Sequence, residues 1–118
     1  MAFFPFMIQM QDKLCVIGGG GKVAYRKVSM MLSFGARVTV IAPKICDELQ
    51  KIESKQDTLL LVQRPFEDGD IEGADVVIMA TNDSEVNSHI AAICKDKRIL
   101  VNVVDDQEKC GFIFPSLV

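Results

Sequence analysis

The chain has 118 residues, of which 49% are hydrophobic and 25% are charged, and its formal net charge is −3. This length suits one domain with its own core and is too short for two. The net negative charge, with Lys and Arg spread along the chain, argues against nucleic-acid binding. No apolar run approaches the ~20 residues that a membrane span needs. The start, "MAFFPFMIQM", lacks a basic leader and a small-residue cleavage site, so we expect neither a signal peptide nor membrane association.

Four cysteines stand at positions 15, 46, 94 and 110, and none has a C-x-x-C spacing. Cys15 and Cys94 lie inside apolar patterns, which favours reduced core thiols in a cytoplasmic protein over disulfides or zinc. His89 is the only histidine and has no metal ligand at a suitable spacing. We therefore predict a cytoplasmic protein with no metal site and with His89 on a helix surface.

The first half of the chain predicts three strands and two helices. "LCVI" is typical of a strand buried on both faces, and "ARVTVIAP" and "TLLLVQR" are the next two strands. A helix follows the four glycines and ends at Gly35, where a left-handed residue is expected. A second helix carries Ile45, Leu49 and Ile52 inward. The residues predicted to face inward on the first helix are Val23, Ala24, Val28, Met31 and Leu32.

The second half predicts two longer strands, "ADVVIMAT" and "RILVNVV", and a short sixth strand, "GFIF", before Pro115. Between the fourth and fifth strands, "NDSEV" offers capping side chains and early acids for a helix. Its predicted inward residues are Val86, Ile90, Ile93 and Cys94. Between the third and fourth strands, "PFEDGDIEG" has acids and glycines in place of a full helix.

Alternating strands and helices predict an α/β fold with helices on both faces of a parallel sheet. Right-handed crossovers then favour a doubly wound, Rossmann-type sheet with strand order of about 3-2-1-4-5 and a short sixth strand.

The glycines fall between the first strand and the first helix, where such sheets bind ligands. Gly19-x-Gly21-x-x-Ala24 fits the dinucleotide fingerprint. One glycine makes the tight turn, the next lets backbone N–H groups approach a pyrophosphate, and the small third residue allows close helix packing. The helix N-terminus adds partial positive charge. The alternative is a tight turn with no ligand.

One part of the usual dinucleotide site is missing. The second strand ends in "VIAPK", with no Asp or Glu to hold the ribose diol. Ala42 and Pro43 would meet the adenosine with backbone and apolar surface only. Lys44 either favours an extra phosphate or is simply solvated.

Four stretches resemble precorrin-2 dehydrogenase, the NAD-dependent domain of siroheme synthases: "GGGKVAYRK", "ARVTVIAP", "RPFEDGDIEGADVVIMATNDSEVN" and "ILVNVVDDQEKCGFIFPSLV". The resemblance spans essentially the whole chain, from "FFPFMIQM" onward. Several of these motifs are unusual for Rossmann domains, notably the missing ribose acid, the "NVVDD" strand end and the "FIFP" tail. One departure from the family pattern is Gly18, since the first strand often ends in a larger apolar residue.

The resemblance implies NAD-dependent oxidation of precorrin-2 to sirohydrochlorin, and some members also insert ferrous iron. The family's key aspartate matches Asp105 of "NVVDD". A carboxylate there could take a proton from the macrocycle, hold a pyrrole N–H or steer metal entry. The alternative is that Asp105 and Asp106 merely begin a turn.

The segment "ATND" resembles the family segment that lies along the cofactor, so Thr81 and Asn82 could bond to ribose or nicotinamide, or cap the next helix. Asn102 is a weaker candidate. The predicted cofactor-binding residues are Gly19, Gly20, Gly21, Lys22, Val23, Ala24, Ala42, Pro43, Thr81 and Asn82.

The family continues past "FIFPSLV" into a dimerisation segment and a helical part that complete the tetrapyrrole cleft. We therefore expect residues 1–118 to be a single dinucleotide-binding domain, and the full-length form to be a homodimer. Candidates to bind the substrate carboxylates are Lys22, Arg26 and Arg64, although each could be ordinary solvated surface. Two other functions stay open: a regulatory NAD(H)-binding module without catalysis, and a plain interaction domain.

Overall fold

The computed structural model describes residues 2–114. The strands are β1 (Leu14–Gly18), β2 (Arg37–Ile41), β3 (Leu59–Val62), β4 (Val76–Met79) and β5 (Leu100–Val103). The α-helices are α1 (Lys22–Ser33), α2 (Asp47–Glu53) and α3 (Ser84–Asp96). Two short 3-10 helices span Asp68–Ile71 and Gln107–Lys109.

All five strands are parallel, in the order β3-β2-β1-β4-β5. The central strand, β1, places Cys15 between Val38 of β2 and Val76 of β4. The predicted doubly wound fold and its strand order are therefore confirmed. Because every strand runs the same way, the loops that follow the strands gather at one edge of the sheet, which we call the carboxyl edge.

The predicted sixth strand is wrong. Residues 111–114 form a bend and irregular chain, with one ladder-like bond from the Gly111 N–H to the Val101 carbonyl at 2.7 Å. The side chain of Asn102 donates to the Phe112 carbonyl at 3.0 Å. This carbonyl is therefore bonded to a side chain instead of to a neighbouring strand.

The core has one layer on each face of the sheet. Val28 and Met31 of α1 pack on one face together with Leu49 of α2, while Ile90 and Cys94 of α3 pack on the other. The prediction that Val23 faces inward is wrong, since its side chain is 38% exposed. The buried stripe of α1 follows the spacing i, i+4, i+7 from Ala24, and Val23 lies about 100° away from that stripe.

The two cysteines predicted to lie in the core are fully buried. Burial raises the pKa of the Cys15 thiol to about 12 and the pKa of the Cys94 thiol to about 11. Both thiols are therefore protonated near neutral pH. No helix within residues 2–114 combines the length and the apolar character needed to cross a membrane.

The segment between β3 and β4 is held by an ion pair that we call the Arg64–Asp70 clamp. The two terminal nitrogens of Arg64 donate to the two carboxylate oxygens of Asp70 at 2.8 and 2.7 Å. Asp70 also accepts the Glu67 N–H at 2.7 Å, and the Glu67 carboxylate lies 3.0 Å from Arg64. The side chain of Asp70 is only 11% exposed. The Arg64 guanidinium, through these hydrogen bonds, lowers the pKa of Asp70 below its usual range.

Phe66 lies in the segment between the two residues of the clamp and packs beside the end of β1. A Cβ built on Gly18 would lie 2.8 Å from the Met79 methyl carbon and 3.0 Å from the Phe66 ring. The side chains of Phe66 and Met79 thus fill the space that a larger residue at position 18 would take. This packing explains why no void is left at the end of β1 although its last residue is glycine.

We expect Asp70→Asn to lower the free energy of unfolding by about 1–2 kcal/mol at pH 7, because the substitution removes charge-assisted hydrogen bonds of a nearly buried group. A carboxyl whose pKa is lowered in the folded state stabilises the fold above its unfolded pKa and loses that contribution as the pH falls through its folded pKa. The wild-type chain should therefore lose more stability than the variant below about pH 4.

Urea unfolding at about pH 6 and about pH 3 measures this difference. Asp57→Asn is the control, because Asp57 is exposed and its side chain makes no hydrogen bond or ion pair within residues 2–114. Equal pH dependence in the wild type and Asp70→Asn would contradict the assigned role of the clamp.

Candidate nucleotide-binding and catalytic site

The turn between β1 and α1 consists of Gly19, Gly20 and Gly21, which we call the glycine turn. Gly19 has φ = +122°, and a Cβ on it would lie 2.5 Å from the Ala80 carbonyl oxygen. A Cβ on Gly20 would overlap the Lys44 carbonyl oxygen. Only glycine lets the chain pass this close to the backbone that follows β2 and β4.

Gly21 serves a different purpose. A Cβ on Gly21 would meet no atom of residues 2–114 within 4 Å. Gly21 is also the N-cap of α1, without a side-chain hydrogen bond, and the first turn of α1 contains no acidic residue. The free N–H groups and partial positive charge of this helix end thus face open space. The open space at this helix end suits a pyrophosphate, and glycine at position 21 leaves that space free because it has no side chain.

The chain after β2 is fastened beside the glycine turn. The Cys46 N–H donates to the Gly20 carbonyl at 2.8 Å, and the Gln63 side chain donates to the Pro43 carbonyl at 3.1 Å. Ala42 is 4% exposed, whereas Pro43 and Lys44 are exposed. The end of β2 therefore offers backbone, a proline ring and one lysine to a nucleotide, and no carboxylate.

Two clefts open at the carboxyl ends of β4 and β5. One has a volume of about 240 Å³ and is lined by Thr81, Asn82, Ser84, Asn87, Val103, Val104, Asp105 and Asp106. The other, of about 280 Å³, is lined by Lys27, Asn102, Val103, Val104, Asp105, Asp106, Gln107, Cys110, Ile113 and Phe114. The segment that carries both aspartates forms a shared wall, so Asp105 borders both clefts.

Asp105 is exposed and has φ = +62°, in the left-handed region. Few residues other than glycine adopt this conformation, and Asp and Asn adopt it most readily. Asp106 differs from its neighbour: it is partly buried and pairs with Lys109 at 2.9 Å. Of the two aspartates, Asp105 is thus the one whose carboxylate has no cationic partner among the described residues.

Thr81 and Asn82 both border the smaller cleft, but they differ in their hydrogen bonds. The Thr81 hydroxyl donates to the Asn87 side-chain oxygen and accepts the Asp83 N–H at 3.2 Å. Asp83 caps α3 by accepting the N–H groups of Glu85 and Val86. Asn82 is exposed, and its side chain makes no hydrogen bond within residues 2–114. Its amide is therefore available to a ligand, while Thr81 is positioned by the helix.

Asn102 is 6% exposed and has a structural role. Its side chain donates to the Phe112 carbonyl and lies 3.5 Å from the Cys110 sulfur. Cys110 in turn accepts the Val103 N–H at 3.2 Å. These contacts hold the chain after β5 against the sheet and so form the floor of the larger cleft.

The three basic residues expected near the substrate do not line either cleft. Lys22 and Arg26 are exposed on α1, and Arg64 belongs to the clamp. Lys27, which sequence reasoning missed, lines the larger cleft. The alternation of charged and apolar residues along α1 does not distinguish Lys27 from its neighbours, so no sequence signal marked it.

His89 is exposed, and its Nε2 lies 3.0 Å from an Asp68 carboxylate oxygen. The predicted surface position of His89 is therefore confirmed. Within residues 2–114, no three His, Cys, Asp or Glu side chains are grouped closely enough to hold a metal ion.

The chain is similar to known proteins over its full length. A family model described as putative NAD(P)-binding matches residues 6–116. The chain is 43% identical over its full length to a siroheme synthase from Thioalkalivibrio sulfidiphilus and 44% identical to one from Nitrosospira multiformis. It spans about a quarter of the length of these curated relatives, 24% and 26% respectively.

A solved structure, that of the precorrin-2 dehydrogenase SirC, superposes with a TM-score of 0.85 at 26% identity. The match covers 97% of this chain and 55% of that one. The predicted NAD(P) type of cofactor and the predicted family are confirmed, and the chain belongs to the NAD(P)-binding family that siroheme synthases and precorrin-2 dehydrogenase share.

Proposed function

We propose that this chain is the NAD-binding domain of an enzyme that oxidises precorrin-2 to sirohydrochlorin. The observation that carries the proposal is the position of Asp105 at the same edge of the sheet as the glycine turn, next to two clefts. Similarity to proteins named siroheme synthase and precorrin-2 dehydrogenase supports this choice of substrate over other oxidations.

The residues at the carboxyl edge fit NAD. The open side of Gly21 and the first N–H groups of α1, from Lys22 to Ala24, would hold the pyrophosphate. Ala42 and Pro43 would support the adenosine, and Thr81 and Asn82 would lie along the ribose or nicotinamide. Bound NAD⁺ supplies a hydride acceptor.

Besides a hydride acceptor, the oxidation needs a group that accepts a proton, and Asp105 is suited to this role. Removing two electrons as hydride from the tetrapyrrole also requires that a proton leave it. An exposed carboxylate without a cationic partner among the described residues can accept that proton, or can orient the macrocycle by accepting a pyrrole N–H. Its left-handed backbone fixes where this carboxylate emerges from the wall between the clefts.

The remaining parts of the proposal rest on the resemblance. Residues 1–118 form a single dinucleotide-binding domain, which acts in a cytoplasmic protein that is a homodimer in its full-length form. In that form we also propose that ferrous iron, as a substrate, is inserted into sirohydrochlorin, where it replaces the two pyrrole N–H protons. Measuring NADH formation from enzymically generated precorrin-2, followed by iron insertion, tests these activities separately.

Gly21→Val should weaken NAD binding at least tenfold, because its side chain would occupy the open space at the N-terminus of α1. The fold should be unaffected, since a Cβ at this position meets nothing in residues 2–114. Calorimetric titration measures the dissociation constant. Gly69→Val is the matched control, because a Cβ on Gly69 likewise meets no atom within 4 Å and Gly69 lines neither cleft. Equal NAD affinity in the wild type and Gly21→Val would disprove the assigned pyrophosphate site.

We expect NAD to be preferred over NADP only modestly. Among residues 2–114, the end of β2 has no carboxylate to repel a 2′-phosphate. Arg64 is held by Asp70 and Glu67, which leaves Lys44 as the cation there that can attract this phosphate. Lys44→Ala should weaken NADP binding and leave NAD binding unchanged. Titrations of both cofactors test this; NADP bound tenfold or more tightly than NAD, about 1.4 kcal/mol, would contradict it.

Asp105→Asn should lower turnover of precorrin-2 by roughly 10²–10⁴ while NAD binding is retained. Asparagine also tolerates the left-handed backbone, so this variant removes the charge without straining the turn. Asp106→Asn is the matched control and should have a much smaller effect, since Asp106 is paired with Lys109. Steady-state kinetics in the full-length protein measures both. Full activity with Asn at position 105 would reduce Asp105 to a turn residue.

A further inference from the structure

Among the described residues that line the larger cleft, Lys27 is the single basic one. Lys27 lies on α1, about 1.7 helical turns after Gly21, and Asp105 lies in the wall of the same cleft. One helix thus presents its positive end to the nucleotide site and, further along, an ammonium group to the neighbouring cleft.

The Lys27 ammonium is held in place by an aromatic ring and not by a carboxylate. Its Nζ lies 4.3 Å from the centroid of the Phe114 ring, a cation–π arrangement. No carboxylate of residues 2–114 lies within 4.0 Å of it, whereas Lys97 and Lys109 each have an acidic partner. Contact with a ring face occupies one side of an ammonium group and leaves its other N–H donors free.

The charges of the cleft are therefore separated. Of the charged residues that line the cleft, Asp106 is paired with Lys109. The other two, Lys27 and Asp105, have no charged partner in the described part of the chain. The same cleft is also lined by apolar side chains, among which are Val104, Ile113 and Phe114. A flat apolar molecule that carries carboxylates at its rim matches this combination.

We propose that Lys27 binds a carboxylate of the tetrapyrrole substrate and so anchors the macrocycle in the cleft that Asp105 borders. The inference rests on the proposed function and adds to it a residue that binds the rim of the substrate. Lys27 is an anchoring residue: it makes a charge-assisted hydrogen bond to a group at the rim of the substrate and takes no part in bond breaking. The Phe114 ring holds the ammonium and adds apolar surface for the macrocycle.

The position of Lys27 separates it from the other cations of α1. Arg26, the preceding residue, lies about 100° around the helix, is exposed and lines neither cleft. Arg26→Gln is therefore a matched control that removes one positive charge from the same helix without changing the cleft.

The test measures steady-state kinetics with precorrin-2 in the full-length protein and binding of sirohydrochlorin by fluorescence titration. Lys27→Gln should raise KM and the sirohydrochlorin Kd by roughly 5–20-fold, keep kcat within about twofold, and leave the NAD Kd unchanged. Lys27→Arg should retain most of the affinity, because it keeps the charge. Arg26→Gln should behave as the wild type in each assay. Added salt should weaken sirohydrochlorin binding more in the wild type than in Lys27→Gln.

The outcomes distinguish this inference from the function on which it rests. If the wild type oxidises precorrin-2 and Lys27→Gln has an unchanged KM, Lys27 is not an anchor and the proposed function stands. If Arg26→Gln loses as much affinity as Lys27→Gln, the effect is one of overall charge and the inference is wrong. If the wild type neither binds sirohydrochlorin nor oxidises precorrin-2, the proposed function and the inference are both overturned.

Discussion

The close approach of backbone to backbone at the glycine turn is the contact on which the site depends. Gly19 passes the carbonyl of Ala80, and Gly20 passes that of Lys44, at distances that leave no room for a side chain. Through these two contacts the ends of β1, β2 and β4 are held together. This fit sets the direction in which α1 leaves the turn. It therefore also sets the positions of the open helix end at Gly21 and of Lys27.

The parallel sheet brings the other groups to the same edge. Because all strands run one way, Thr81 after β4 and Asp105 after β5 reach the carboxyl edge although they are 24 positions apart in the chain. The hydrogen bond from the Val104 N–H to the Met79 carbonyl, 3.0 Å long, extends the pairing of β4 and β5 by one step. Beyond it the chain turns at Asp105. The wall between the two clefts is thus a direct continuation of the sheet ladder.

Much of this arrangement could be predicted from the sequence because it depends on local patterns. Continuous apolar runs identified the five strands, helical spacing identified the helices, and the glycine spacing located the nucleotide turn. These signals repeat over several residues, so a single exception does not obscure them. The role of Asp105 came from resemblance, since two aspartates after a strand are otherwise typical of a turn.

The features that escaped prediction depend on single contacts between distant residues. "GFIF" has the composition of a strand, but the Asn102 side chain takes the Phe112 carbonyl. Val23 has the right residue type for the core and lies beside the buried stripe of α1. Arg64 was expected near the substrate, yet a carboxylate six residues later binds it. Lys27 is marked only by a ring that stands 87 positions further along the chain.

The packing of Phe66 and Met79 against Gly18 has a consequence for sequence change in this fold. The side chains that fill the space beside Gly18, the last residue of β1, come from two other segments of the chain. A side chain at position 18 would therefore compete with the ring at position 66 for the same space. A larger side chain at 18 is compatible with the fold when the ring at 66 is reduced, and each change alone leaves either a clash or a void. We therefore expect the two positions to form a compensating pair, in which a larger residue at 18 is accompanied by a smaller one at 66 while the backbone of the nucleotide turn stays the same.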